Sequence, residues 1–162
     1  KAYREKMFKE LGINDDELDD VKPNAAFNEK LLQVLNSNTN QYPVYSALTC
    51  TGDDAYSDKV AENLFLIGLA YAYKTSSFDN MAAMRKNVET LFALDYLDKP
   101  FYDDYAAVKV KDVNRNYIVP FLKLYRHYKD AGDLQKQFWI KEKLILLSNG
   151  TDDEETVRNF VD

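Results

Sequence analysis

The stretch NLFLIGLAYAYK, residues 63–74, is the longest nearly uncharged run in the chain and restricts its fold more than any other segment. Leu64 to Tyr73 is ten residues, bounded by Glu62 and Lys74, whereas crossing a bilayer takes about 20 apolar residues. The run is therefore expected to be covered inside a soluble domain. Its periodicity changes midway. Val60, Leu64 and Ile67 sit at helical spacing up to Gly68, and beyond it Leu69, Tyr71 and Tyr73 alternate with Ala70 and Ala72 in the strand manner. This predicts a short helix before Gly68 and a strand over residues 69–75. A second strand is expected over PVYSALT, residues 43–49, where Pro43 takes a tolerated first position and Val44, Tyr45 and Thr49 favour extended chain. The two are expected to pair in a small sheet.

Helical signals dominate elsewhere. Tyr3, Met7 and Leu11, followed by Gly12, predict a helix over residues 2–11. Phe27, Leu31, Leu32 and Leu35 predict another, capped by Asn24 and broken by the polar run NSNTNQ. DNMAAMRKNVETLFAL is amphipathic, with Met81, Met84, Val88, Leu91 and Phe92 on one side and Asp79 placed to cap it. An irregular segment, residues 95–107, follows. Then comes a helical hairpin turning at DAGD, residues 130–133. Its first stripe is Tyr117, Phe121, Leu124, Tyr125 and Tyr128. Its second is Leu134, Phe138, Ile140, the Lys141 stem, Leu144, Ile145 and Leu147. Pro120 lacks an amide hydrogen and should kink or delay the first of these helices. TDDE at 151–154 has capping-box spacing for a short last helix. The hairpin looks tetratricopeptide-like, although no clean repeat of about 34 residues is present.

These elements make an α+β, predominantly α chain. It reads as one domain with N-terminal helices (1–41), a mixed part (42–110) and the hairpin with its terminal helix (111–162). Hydrophobic residues at 46% and charged residues at 30% suit a globular chain. A net charge of −6 repels a phosphate backbone, and the basic clusters are diluted by Asp and Glu, so nucleic acid is not an expected partner.

Chemistry is sparse. His127 is the sole histidine and sits beside Tyr125 and Tyr128, so it reads as a surface or packing residue rather than a base or ligand. Cys50 is the sole cysteine and reads as a small packed residue. The acidic run NDDELDD lacks the ligand spacing and central glycine of a calcium loop. Asp53 with Asp54 and Asp103 with Asp104 are loop neighbours, and an acidic cleft around them is the least favoured reading. No phosphate-cradling or nucleophile-elbow motif is present. No catalytic residue, cofactor or metal is expected. A binding surface, if there is one, is sought among Tyr96, Phe101, Tyr102 and Tyr105, because aromatics are enriched at binding hot spots.

Several stretches, taken in order, resemble a known family. NEKLLQVLNSNTNQYPVYSALT resembles a helix, an Asn-rich turn and an RPIYFA-like strand, and NLFLIGLAYAYK a following LxxxGLAYRL segment. DNMAAMRKNVETLFALDYLDKPFYDD and VNRNYIVPFLKLYRHYKDAGD complete the series, over roughly residues 28–148. Together they look like the soluble C-terminal region of a bacterial multi-pass membrane family of unknown function, similar to protein O-mannosyltransferases of the GT-C type. Pro43, Tyr45, Gly68, Leu69, Ala70 and Tyr71 keep the pattern. Tyr42, Ser46, Ile67 and Ala72 replace the expected Arg, Phe, acidic or polar residue, and Arg. The resemblance thus implies a retained fold and carries over no catalytic residue, since such residues belong near membrane helices. It implies a non-catalytic extracytoplasmic domain, on the periplasmic side of a membrane it meets only through upstream segments. There it would bind a partner or acceptor polypeptide or brace the membrane part. The alternative is a stand-alone secreted tetratricopeptide-like module that binds proteins or peptides.

Overall fold

The computed structural model describes Lys9 and residues 32–39, 41–48, 58–98 and 105–162. The helix expected over 2–11 (Lys9 apart), the Asn24 cap, and Cys50, Asp53, Asp54, Phe101, Tyr102, Asp103 and Asp104 lie outside the described residues. The fold is α+β and mostly helical, with a small antiparallel sheet. It comprises two compact units, Lys1–Phe65 with Ala70–Phe78, and Leu66–Leu69 with Asp79–Asp162.

In the first unit, α1 (32–38) precedes β1 (Tyr45–Ala47), α2 (Asp58–Ala61), β2 (Leu64–Leu66) and β3 (Ala70–Tyr73). Strand order is β1-β3-β2. The expected pair is present, antiparallel, with Tyr45 opposite Ala72, Ser46 opposite Tyr71 and Ala47 opposite Ala70. The buried phenol of Tyr73 donates to Asn36 Oδ1 at 2.8 Å and so ties β3 to α1. Burial alone raises the pKa of this hydroxyl.

Two expectations fail here. The sheet has three strands, not two, and residues 64–66 are extended rather than helical. The 60/64/67 spacing fits a helix, but α2 closes after four residues. Asn63 ends it, its amide N–H reaching Val60 O at 3.1 Å and its side chain Lys59 O at 3.0 Å. The Asn63 carbonyl then accepts from Lys74 N at 2.9 Å, which commits the chain to a β2–β3 hairpin. An edge-on contact between Phe65 and Phe78, 5.7 Å between centroids, covers the end of this hairpin.

The second unit takes in Leu66, the last residue of β2, with the 67–69 turn, and continues through α3 (Asn80–Lys86), a π-helical turn (Asn87–Leu91) and a 3₁₀ turn (Asp95–Asp98). It then forms α4 (Tyr105–Asn114), a 3₁₀ turn (Arg115–Tyr117), α5 (Ile118–Ala131), α6 (Leu134–Ser148) and α7 (Glu154–Val161). The caps follow the sequence: Asp79 accepts from Ala82 N at 2.9 Å and Asp133 from Lys136 N at 3.1 Å. Gly132 ends α5 in the left-handed conformation at φ 70°, where its N–H reaches Lys129 O. Pro120 does delay α5: a 3₁₀ turn leads in, and the proline sits in the first helical turn, where no intrahelical acceptor is needed. The capping box of α7 is only partly made, because Glu154 accepts from Gly150 N at 2.7 Å rather than from the cap residue.

The core lies where α5 and α6 pack together, around Phe121, Leu124, Ile140 and Leu144, all fully buried, with Tyr125 and Tyr128 beside them. Each such aliphatic side chain contributes about 1.5–3 kcal/mol by leaving water. Two residues expected in the second stripe face outward instead, Leu134 at 75% and Phe138 at 64% exposure. The buried face of α6 is set by Ile140, Leu144, Leu147 and Ser148. At about 100° per residue, Leu134 and Phe138 project well away from it.

Candidate functional site

Three places on the second unit gather functional-group chemistry. The first surrounds Tyr96, the one described residue of the expected aromatic surface whose side chain can be placed; Tyr105 opens α4, but its side chain lies outside the described residues. Tyr96 is half-buried, and its hydroxyl donates to Oδ1 of the buried Asn114 at 2.8 Å. Burial, with Tyr117 nearby, pushes this phenol up to about 12. Tyr96 and Asn114, with Lys109, Val110 and Val113, line a shallow depression of about 430 Å³.

The second is a polar hub centred on Glu89 in the π turn. Its Oε1 accepts from the Tyr128 hydroxyl at 2.6 Å and from Arg85 Nε at 3.2 Å, and its Oε2 accepts from Lys136 Nζ at 2.8 Å. The Arg85 guanidinium and the Lys136 ammonium also lie 5.9 and 5.7 Å from the Tyr128 ring centroid. Burial pushes the Glu89 carboxyl up, but the bonds from Lys136, Tyr128 and Arg85 outweigh it and hold the carboxyl down at about 2. Tyr128 moves the other way, its phenol raised first by burial and then by the Glu89 carboxylate. A carboxylate held this low is a weak base, and a phenol raised this way stays protonated and is a weak acid. Through these bonds the hub ties α3 and its π turn to α5 and α6.

Sequence reading missed this cluster because Glu89 lies 39 residues from Tyr128 and 47 from Lys136. His127 is half-buried on α5 with its ring 5.6 Å from that of Tyr128. Among the described residues no group of three His, Cys, Asp or Glu side chains could hold a metal ion.

The third place is the outer face of α6. Leu134, Phe138 and Leu146 are 75%, 64% and 43% exposed, with Trp139 and Ile145 half-exposed between them. Trp139, Glu142, Lys143, Ile145 and Leu146 line a depression of about 530 Å³ along this side. The opposite flank of the helix is occupied. Lys141 Nζ reaches Val161 O and Asp162 Oδ1, both at 2.9 Å, while the buried Tyr125 hydroxyl donates to Val161 O at 2.8 Å and accepts from Gln137 Nε2 at 3.1 Å. These bonds fasten α7 against α5 and α6 and fix which side of α6 turns outward.

Among the described residues no helix is long and apolar enough to cross a membrane. Compared with known protein families, with curated proteins and with solved structures, the chain matches none.

Proposed function

We propose that this chain is a non-catalytic interaction domain whose docking face is the outer side of α6. In this reading it serves on the extracytoplasmic side of a GT-C-like, glycosyltransferase-related membrane protein, binding a partner or acceptor polypeptide or bracing the membrane part. The observation that carries the docking role is the clustering of Leu134, Phe138, Trp139, Ile145 and Leu146 on one helix side. Single exposed apolar side chains are ordinary, whereas five on one side of a helix, two of them aromatic, have the composition of a binding hot spot. The polar hub supports the non-catalytic part, since its two central groups are shifted away from useful proton transfer. The membrane setting rests on the ordered resemblance alone. Its test is the protein sequence upstream of Lys1: several spans of about 20 apolar residues are expected, and a gene without them removes the membrane setting.

A second reading is favoured by the helical hairpin itself. The α5–α6 pair turns tightly at Gly132 and Asp133, and α7 packs next against α6, which supports a repeat-like reading. A stand-alone tetratricopeptide-like module would use the same α6 face. A cleaved signal sequence directly before Lys1, with no membrane span, would favour it.

A further inference from the structure

The α3 helix and its π-helical end disagree about register. Met84 and Val88 are buried, and in a continued α-helix at about 100° per residue Leu91 would fall on the same stripe. Instead Leu91 is 65% exposed. The cause is the π turn over Asn87–Leu91, which winds more residues into each turn and closes with Phe92 N on Asn87 O at 2.9 Å. That extra winding swings Leu91 out and brings Glu89 round to Tyr128 and Lys136. It also sets Asn87, whose side-chain amide donates to Ile67 O at 2.7 Å, and Phe92, which lies against Gly68.

The local pattern thus favours one register, with Leu91 inward, while the Glu89 bonds and the Asn87 bond hold the other. We propose that residues 87–92 are a two-register element: a π register latched by Glu89 on Tyr128 and Lys136, and an α register in which Leu91 turns inward. Arg85 is on the same helix and follows Glu89 by its i,i+4 spacing, so the Glu89 bonds that discriminate the registers are those to α5 and α6, beside the Asn87 bond to Ile67 O. Releasing the latch shifts the population without unfolding the helix.

Thiol reactivity at position 91 tests this in the full chain with Cys50→Ser, so that Leu91→Cys carries the only thiol. With Glu89 intact, Leu91→Cys should react with a maleimide about as fast as an Ala93→Cys control, since Ala93 is exposed. Adding Glu89→Ala should slow Cys labelling at 91 by about tenfold while leaving position 93 unchanged. An unchanged rate at 91, in a variant whose circular dichroism and melting remain cooperative, overturns the proposal. Should Glu89→Ala lose cooperative melting, Glu89→Gln is read instead: it removes the charge for Lys136 and keeps an acceptor for Tyr128. It must then slow position 91 relative to 93, or the two-register element is refuted.

Discussion

Replacing Gly68 with alanine should be among the most damaging small changes in the chain. Gly68 holds φ at 132°, a region that side-chain-bearing residues rarely enter and whose strain costs about 1–3 kcal/mol. A Cβ there would stand 2.9 Å from Phe92 Cζ and 3.3 Å from Phe92 Cε2. The far end of a side chain can move, but this ring is held edge-on against Tyr117, 5.6 Å between centroids. Displacing it adds about 1 kcal/mol of overpacking, so the total loss is about 2–4 kcal/mol. Gly132 provides the control. Its φ of 70° carries the left-handed penalty, but nothing lies within 4 Å of the added Cβ, so Gly132→Ala should lose only about 1 kcal/mol. Urea unfolding followed by circular dichroism and by the fluorescence of Trp139, the only tryptophan, measures both at matched slope. Adding Phe92→Leu to Gly68→Ala should recover the packing part and leave the backbone part. Equal losses for the two glycine variants, or no recovery with Phe92→Leu, would refute the reasoning.

Two further outcomes follow from the polar contacts. Glu89 has a folded pKa of about 2 against an ordinary 4.5, so its stabilisation is complete above pH 4.5 and lost as the pH falls toward 2. Because solvent still reaches this carboxylate, the contribution is about 1–2 kcal/mol, and Glu89→Gln should flatten acid unfolding in that window; an unaltered acid limb would contradict it. Tyr125→Phe removes a buried hydroxyl, but Lys141 still serves the Val161 carbonyl at 2.9 Å. The loss should therefore be about 1 kcal/mol and appear first as faster amide exchange over 154–161, and uniform exchange changes would count against this attachment.

Much of the fold could be read from local signals. Asp79 caps the helix it was expected to cap, the DAGD segment turns the hairpin, Pro120 delays α5, and the two anticipated strands pair with Tyr45 opposite Ala72. What escaped depends on partners distant in sequence. Val60, Leu64 and Ile67 fit a helical spacing until the Asn63–Lys74 bond commits residues 64–66 to a strand. The apolar residues of α6 run around the helix, and only the attachment of α7 through Tyr125, Gln137 and Lys141 shows that Phe138 faces out. Leu91 belongs by pattern to the Met84–Val88 stripe, and a π turn, which has no sequence signature of its own, removes it. The expected aromatic surface shrinks to Tyr96 among placed side chains, while the larger apolar face lies on α6.

Site-specific photo-crosslinking tests the central claim that the outer face of α6 docks a polypeptide. A benzophenone amino acid replaces Phe138 in the full-length protein in its native cell, and a matched probe replaces Lys123, which is exposed on α5. The account predicts a discrete adduct from position 138, either to one partner polypeptide or to the upstream part of the same protein. That adduct should disappear when Leu134→Glu is added. No adduct at 138, or the same adduct from 123, would contradict it.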